Sequence, residues 1–581
     1  MAAAINVNEN VRYEPDENPP RLVTIGSGIQ AAILILAPVV LTVVIVSRIA
    51  GQSESFMTWA VFAALLISGS TTVLQAVRVG RFGSGHVLMM GTSGAFIAVC
   101  AAALQLAGPA TMASLIVISA LFQFLLAARL SWLRRIFTPI VTGTVIMLIA
   151  ATVMPIVFET LSDVPEGSPQ TAAPVAALVT IVIVAAMVVR SPPAWRLWSP
   201  IIAIAAGCIV AIPYGIFEFQ QVLDAPWIGI PFDGWPGFDV TPGIEFWALL
   251  PAFIVVTLVG AIETIGDGVA IQRVSRRNPR ATDFRVVQGA LNADGVGNLL
   301  SGLLGTVPNT TYSSSISLAE VTGVAARRVG VVIGVVFVIL AFFPKVAALL
   351  IAIPPPVAAA YITVLVVLLF VQGIRIVIND GMDHRKAIVV GLAFWIGAGF
   401  QSGWIFPSLL DEGFIGVLLS NGMTAGAIVA IIVMVFIELT RPRRRRLQTA
   451  LESDALPKIE QLLLAVAANR GWNDASAERL TSAGEETLAI LLQESGADPA
   501  ESAGRQLTVI ARVEGDTAEL EFVTSLEGEN LEDHLVYLNE LPPMPDEREV
   551  SFRLLWHYAS SVRHQKYHGL DIITVQVEGA R

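Results

Sequence analysis

Long apolar stretches recur along the first three-quarters of the chain, too long for strands and without the polar stripe of a surface helix. They lie near 23–48, 57–77, 86–107, 110–129, 137–158, 172–190, 198–214, 247–270, 287–304, 312–323, 327–350, 357–379, 386–402 and 414–438. A bilayer-spanning helix needs about 20 mostly apolar residues, so the pattern predicts about fourteen transmembrane segments. Two runs depart from a plain span. The stretch at 312–323 is too short to cross alone, and 86–107 is interrupted by Gly91 and Gly94. Residues 1–20 are polar, hold four acidic side chains and do not read as a cleavable signal peptide.

The loops set the orientation. Alternate loops carry Arg78 and Arg81; Arg129, Arg134 and Arg135; Arg190 and Arg196; the cluster from Arg273 to Arg285; Arg327 and Arg328; Arg375, Arg385 and Lys386; then Arg441 and Arg443 to Arg446. The loops between them are nearly free of Lys and Arg, and 215–246 has five acids and no base. Basic loops stay on the cytoplasmic side. Both termini are therefore expected in the cytoplasm, with the chain multi-pass in the cell (inner) membrane and an even number of crossings.

Past residue 446 the pattern changes to helical stretches at 456–469 and 476–494, alternating strands at 506–513 and 517–524, a helix at 548–563 and a strand at 571–577. The expected layout is a cytoplasmic N-terminal tail (1–20), a transmembrane domain (21–440), a basic linker (441–455) and a small cytoplasmic α/β domain (456–581). Charge divides at the same place: the net −11 of all 581 residues splits into −14 from residue 447 onward and +3 before it. With 54% hydrophobic and 14% charged residues and a mean hydropathy of +0.69, the chain is far from the roughly 25% charge of a soluble domain. That excludes a disordered chain, a nucleic-acid binder and an ordinary soluble enzyme. Cys100 and Cys208 sit in apolar runs and make neither a disulfide framework nor a metal cluster. With no zinc pattern, nucleophile elbow or redox cysteine, no enzyme activity, cofactor or metal is expected.

Ionisable groups inside spans are costly and mark function by default. Four acids lie there: Glu263, Asp267, Asp294 and Glu320, with no Lys or Arg deep in a span to neutralise them. Glu263 and Asp267 are four residues apart and share one helix face. Both are candidate proton carriers; the competing reading is of polar groups that bridge helices. Asp294, in Asn292-Ala293-Asp294-Gly295, serves equally as a helix cap, and Glu320 reads as reaching the cytoplasmic surface. Two polar breaks, Gly91-Thr92-Ser93-Gly94-Ala95-Phe96 and Val307-Pro308-Asn309-Thr310-Thr311-Tyr312-Ser313-Ser314-Ser315, each precede a shorter helical run. Interrupted spans in corresponding halves point to a transporter's substrate site. The halves are weakly alike: Gln30 in Gly28-Ile29-Gln30 parallels Glu263, and Pro139–Gly143 parallels Pro356–Ala360. In a repeat of seven plus seven spans the second copy is inverted.

At these residues the chain resembles the nucleobase–ascorbate transporter family, the uracil, xanthine and urate permeases, over roughly 20–440. The resemblance rests on Glu263-Thr264-Ile265-Gly266-Asp267, Gly91–Phe96, Asp294-Gly295, Pro139-x-Val141-x-Gly143 and Thr310-Thr311-Tyr312. It implies an all-α polytopic fold of about fourteen spans in two inverted seven-span repeats, a core domain (spans 1–4 and 8–11) moving against a gate domain, and substrate between the half-helices of spans 3 and 10. The family's Gln/Glu-Asn head is replaced by Ser314-Ser315, while Thr322-Gly323 keep its tail; Ala31 stands where many members have histidine, and Gly94 where an aromatic is frequent. The substrate-binding candidates are then Glu263, Ser93, Gly94, Ser314, Ser315 and Gln30, and the proton-coupling candidates Asp267, Glu263 and Asp294. The expected function is proton-coupled uptake of a purine or pyrimidine nucleobase by alternating access. The alternatives are an anion transporter of the sulfate or bicarbonate type, or a membrane sensor with a protein-binding tail. Expected partners are a nucleobase, H⁺ (with Na⁺ as the alternative coupling ion), membrane lipid and a second copy of the chain through the gate domains, with no nucleic acid.

The tail's layout resembles the histidine-kinase-type ATPase fold, with Glu485-Glu486-Thr487-Leu488 at the metal-binding helix and Leu554–Tyr558 at a late helix. Ile490 stands near the place of its magnesium-binding asparagine, and 525–529 reads Ser-Leu-Glu-Gly-Glu in place of Asp-x-Gly-x-Gly. A degenerate regulatory or dimerising module is expected rather than an ATPase. His557, His564 and His568 read as surface histidines.

Overall fold

A helix that is apolar on every face has no stable place in water, and most of the chain is built from such helices. The computed structural model describes residues 8–128, 138–217, 219–278, 280–379, 382–409, 413–440, 445–495, 506–514, 516–524, 547–567 and 570–580. They divide into two compact units, the first comprising Glu9–Arg277 and Val286–Ile437 and the second built on Glu438–Arg581.

In the first unit, α1 (Arg21–Ile49) and α2 (Glu54–Val77) lead into β1 (Met90–Thr92), a 3-10 turn at Gly94–Phe96, the short α3 (Ile97–Leu106) and α4 (Gly108–Ala128). Then come α5 (Pro139–Leu161), α6 (Ala172–Arg190), α7 (Ser199–Ala211), α8 (Ile244–Val274) and α9 (Phe284–Leu304). The strand-and-short-helix device returns in β2 (Asn309–Thr311) and α10 (Ser314–Thr322), followed by α11 (Arg327–Ala341), α12 (Pro344–Ile351), α13 (Pro355–Asn379), α14 (His384–Gln401), α15 (Gly413–Ser420) and α16 (Gly422–Thr440). Among the described residues seven helices (α1, α2, α4, α5, α6, α8 and α13) are long and apolar enough to cross a bilayer. The bent pairs α11–α12 (86°) and α15–α16 (89°) raise that to nine if each is one span. The chain is a multi-pass membrane protein. The difference from fourteen apolar runs has a physical origin. The runs at 86–107 and 312–323 fold as strand plus short helix, 198–214 gives a 13-residue helix, and α9 is diluted by Gln288, Asn292, Asp294 and Asn298.

Small residues let the helices touch backbone to backbone, the usual source of packing where lipid offers no hydrophobic contrast. α5 lies along α13 and α2 along α11. A Cβ on Gly143 would stand 2.7 Å from the Gly373 carbonyl oxygen, and one on Gly373 would stand 2.7 Å from that of Gly143.

Residues 9–19, expected as a tail, fold back as a strap. The Arg12 and Tyr13 amides donate to the Gly323 carbonyl (2.7 and 3.0 Å), and the amides of Ala325 and Arg327 donate to the carbonyls of Tyr13 and Pro15 (2.9 and 3.0 Å). Arg277, just past α8, donates to both Glu17 carboxylate oxygens (2.6 and 2.7 Å) and to the Val11 and Arg12 carbonyls (3.0 and 2.7 Å). These hydrogen bonds hold the Glu17 carboxyl below the ordinary glutamate range.

The second unit is a five-stranded antiparallel sheet of order β3-β4-β5-β7-β6, with β3 (Arg445–Ala450), β4 (Gln506–Glu514), β5 (Thr517–Thr524), β6 (Ser561–Tyr567) and β7 (Leu570–Glu578). Its helices are α17 (Leu456–Arg470), α18 (Asp474–Ser495) and α19 (Glu547–Tyr558). Alternate residues Ala518, Leu520 and Phe522 of β5 and Ile573, Val575 and Val577 of β7 share one core with Ile459, Leu463, Leu488 and Leu555 from the helices. Two expectations are corrected. The helix expected at 548–563 ends at Tyr558, and its last residues enter β6, where Val562 pairs with Val575. The linker expected at 441–455 supplies β3, paired with β4 from Arg445↔Ala511 to Ala450↔Gln506. Both are edge strands whose charged side chains blunt the edge, which hides strand periodicity. His564, read as a surface histidine, is 1% exposed with Nε2 3.6 Å from Asp571 Oδ2. His557 is exposed, and His568 and the 525–529 loop lie outside the described residues.

Two predictions follow from this packing. Gly373→Val forces α5 from α13 and should lower stability by about 1–3 kcal/mol, seen as a lower thermal midpoint in detergent; Gly391→Ala, where a Cβ would meet nothing within 4 Å, should leave it unchanged. For the strap, Glu17's value is depressed in the folded state, so its contribution is complete above the ordinary glutamate value of about 4.3. That contribution is lost as pH falls through the lowered one. Hydrogen exchange of the Arg12 and Tyr13 amides, corrected for intrinsic rates, should accelerate in that acid window in the wild type. It should already be fast at neutral pH in Arg277→Ala.

Candidate functional site

Backbone at membrane depth must satisfy its own hydrogen bonds, and the two polar breaks do so with each other. β1 and β2 pair antiparallel, Met90↔Thr311, Gly91↔Thr310 and Thr92↔Asn309. The ladder is extended by Ser93 N–H to the Pro308 carbonyl (2.8 Å) and Tyr312 N–H to the Met89 carbonyl (2.9 Å). Gly91 is required here: a Cβ would lie 2.6 Å from the Tyr312 ring, whose hydroxyl donates to the Thr92 carbonyl (2.9 Å). The short helices α3 and α10 start where this ribbon ends, so their first turns face one space.

That space is a cavity of about 390 Å³, within the usual range for small-molecule sites. One wall comes from α1 (Leu34, Ile35, Pro38, Thr42), the β1–α3 turn (Thr92, Gly94, Ala95), α8 (Glu263) and the β2–α10 turn (Thr310 to Ser314). The opposite wall comes from α5 (Val153), the α6–α7 connection and α7 (Leu197, Pro200), and one face of α13 from Tyr361 to Gln372. The lining is mostly apolar. Among the described residues Glu263 is its single acid, and no Lys, Arg or His lines it. The Ser314 and Thr310 hydroxyls, both on the lining, have no hydrogen-bond partner among the described residues.

Behind the wall runs a buried polar network. Asp267 accepts from Thr311 Oγ1 (2.8 Å) and Ser313 Oγ (2.7 Å). Asp294 Oδ2 accepts from Gln123 Nε2 (2.7 Å) and Thr264 Oγ1 (3.1 Å). The bridging reading of these acids describes the arrangement, whereas the capping reading of Asp294 is corrected, because it lies in the middle of α9. Among the described residues hydroxyls and amides, not cations, hold both. Glu320 is exposed.

The structure brings Glu263, Gly94 and Ser314 onto the cavity and places Asp267 and Asp294 behind it. The other three candidates lie elsewhere. Gln30 is outside the lining, which α1 provides from Leu34 onward. Ser93 is fully buried, stands outside the lining, and its hydroxyl has no hydrogen-bond partner among the described residues. Ser315 is fully buried and its hydroxyl is used structurally, accepting from Met89 N–H (2.8 Å) and donating to the Tyr312 carbonyl (2.6 Å). Sequence reading weighed carboxylates and passed over Thr264, Thr311, Gln123 and Asn298. A lone amide inside the apolar run 110–129 was the available signal for Gln123.

The sequence profile of the xanthine/uracil-type permease family matches residues 23–403. The chain belongs to this family, the nucleobase–ascorbate transporters. This permease is 27% identical over 457 residues to the xanthine permease XanQ of Escherichia coli, a match covering 75% of this chain and 96% of XanQ. It is 27% identical over 450 residues to the uric acid permease PucJ of Bacillus subtilis, covering 75% and 96%. Among solved structures, the transmembrane domain of a cyanobacterial bicarbonate transporter, BicA, aligns at 16% identity with a TM-score of 0.43, covering 73% of this permease and 100% of that chain.

Ser315→Ala in this permease should behave as a structural change. Leaving the buried Met89 N–H unpaired costs about 1–3 kcal/mol, so the thermal midpoint should fall while the affinity of folded protein for its substrate stays at the wild-type value. A selective loss of affinity would return Ser315 to the binding site.

Proposed function

We propose that this permease takes up a purine or pyrimidine nucleobase of the xanthine, urate and uracil class by proton-coupled alternating access. The observation that carries the reading is Glu263, a carboxylate on the wall of an apolar cavity, without a hydrogen-bond partner among the described residues and without a cation on the lining. An ionised acid so placed accepts hydrogen bonds from ring N–H groups, donors that sulfate lacks and that bicarbonate matches with only one O–H, which disfavours the sulfate or bicarbonate alternative. Tyr312, Tyr361 and aliphatic side chains supply flat apolar contact for a planar ring. XanQ and PucJ are named for xanthine and uric acid, which supports the same class.

The reading extends to the membrane. Seven long apolar helices, two bent pairs, the short α3, α7 and α10, and α9 and α14 make fourteen segments, compatible with two inverted seven-span repeats and both termini in the cytoplasm. The two cavity walls correspond to the core and gate of that scheme, and the gate helices are the proposed homodimer contact. Asp267 and Asp294, held without cations, are the proposed seats of the coupling proton, with Na⁺ as the alternative ion. The second unit is proposed as a cytoplasmic regulatory module.

The test is uptake of labelled xanthine, urate, hypoxanthine and uracil by cells expressing wild type or Glu263→Gln, with and without an uncoupler. Uncoupler-sensitive uptake of one base is expected. A hydrogen bond to a charged group contributes about 1.5–3 kcal/mol, so Glu263→Gln should weaken binding of that base by roughly 10- to 100-fold. Unchanged binding and transport in the variant would remove Glu263 from the site, and no uptake of any base by wild type would remove the substrate class.

A further inference from the structure

The cavity acid Glu263 and the deeper Asp294 are on different helices, and a continuous line of hydrogen bonds runs inward between the two helices from Asp267, one turn along α8 from Glu263. Asp267 Oδ2 is 2.8 Å from Thr311 Oγ1, Thr311 Oγ1 is 3.3 Å from Thr264 Oγ1, and Thr264 Oγ1 is 3.1 Å from Asp294 Oδ2. Every member is buried, Thr264 and Asp294 completely. The far end is fixed in orientation. The Asn309 N–H can only donate, so Asn298 turns its Oδ1 to it (2.7 Å) and its Nδ2 to Gln123 Oε1 (2.8 Å). Gln123 must then turn its Nε2 to Asp294 Oδ2 (2.7 Å). Resting on the proton-coupled reading above, we propose that Thr264 and Thr311 form a two-hydroxyl relay that passes a single proton between Asp267 and Asp294.

The chemistry balances. With the proton on Asp267 Oδ2, that O–H donates to Thr311, Thr311 donates to Thr264, and Thr264 donates to the Asp294 carboxylate. Transfer breaks the Asp267 O–H bond, moves each hydroxyl hydrogen one oxygen along and forms an O–H bond on Asp294 Oδ2. Both threonines end as neutral hydroxyls with their donor direction reversed, and Asp267 is left as the carboxylate that now accepts from Thr311. Each hydroxyl holds one hydrogen and can accept another, so no intermediate charge separation is required. The titratable groups facing the line are Glu263 on α8, the two aspartates themselves and Tyr312 beside β2, whose hydroxyl is engaged with the Thr92 carbonyl. α4 contributes the Gln123 amide, and the turn between β2 and α10 the Ser313 hydroxyl that fixes the second Asp267 oxygen. The relay thus joins the cavity side of α8 to α9 through atoms that carry no fixed charge.

The test separates net proton movement from substrate movement. Thr264→Val and Thr311→Val keep side-chain shape and remove the hydroxyl, and Thr→Ser at each position keeps it. For whichever labelled base wild type accumulates best, uphill accumulation driven by an inward proton gradient should fall roughly tenfold or more in each valine variant. Counterflow, which exchanges base for base without net proton transfer, should stay near wild type in Thr264→Val, whose side chain is off the cavity lining, and serine should restore accumulation at both positions. A merely structural role would lower both readouts together. Equal loss of both with no serine rescue, or unchanged accumulation in the valine variants, overturns the relay while leaving the transport reading intact. Wild-type accumulation that ignores the proton gradient overturns the coupling itself. Should the valine variants not reach the membrane, wild type in D₂O decides: net accumulation must slow more than counterflow, and equal slowing overturns the relay.

Discussion

The site depends on two three-residue strands pairing where lipid would otherwise leave their backbone polar groups unpaired. An unpaired N–H or C=O at that depth costs several kcal/mol, so neither break could exist alone. Paired, they end two short helices against the same space and hold Thr310, Thr311 and Tyr312 at a fixed register with Met90, Gly91 and Thr92. The pairing delivers the Thr311 hydroxyl to Asp267 and, through the Asn309 amide, orients Asn298 and hence Gln123. The absence of a side chain at Gly91 is part of the same constraint, because the Tyr312 ring occupies the place a Cβ would take.

Charge is handled in opposite ways at the two levels of the first unit. Outside the spans, the strap binds Glu17 to Arg277 directly, in a half-exposed ion pair that water screens. Inside, three carboxylates on α8 and α9 have no cationic partner among the described residues, and hydroxyls and amides alone receive Asp267 and Asp294. A guanidinium in their place would pin the acids in the charged form. Neutral donors serve an acid that gains and loses a proton, because a hydroxyl can reverse its direction.

The apolar runs made the membrane class and most helices legible, since 20 apolar residues have few other fates. The acids Glu263, Asp267 and Asp294 stood out for the same reason, each being expensive where it lies. The partners of those acids were not legible. Thr264 and Thr311 look like ordinary small residues in a sequence, and only the fold shows that their hydroxyls are 3.3 Å apart. Gln30 and Ser315 were chosen by position in a motif. The cavity begins one turn past Gln30, and Ser315 points back toward Met89. In the second unit the edge strands β3 and β6 were missed because charged and polar residues, in β6 including the buried His564 and Lys566, hide the apolar alternation that identifies a strand by pattern.

The departures from the family's head motif have a common consequence in the cavity. Ser314 offers one hydroxyl where an amide or carboxylate would offer paired hydrogen bonds, and a Cβ on Gly94 would meet nothing within 4 Å. On the proposed reading, directional recognition on this wall therefore rests chiefly on Glu263. Sites that hydrogen-bond several groups of a substrate reject analogues lacking one by about 10⁴–10⁵, whereas apolar fit discriminates only about 10–200-fold. A lining with one acid, a few hydroxyls and mostly aliphatic walls belongs nearer the second regime. On the proposed reading, selection among ring-shaped substrates is governed by the one edge that would face Glu263, and the rest of the ring is held by shape.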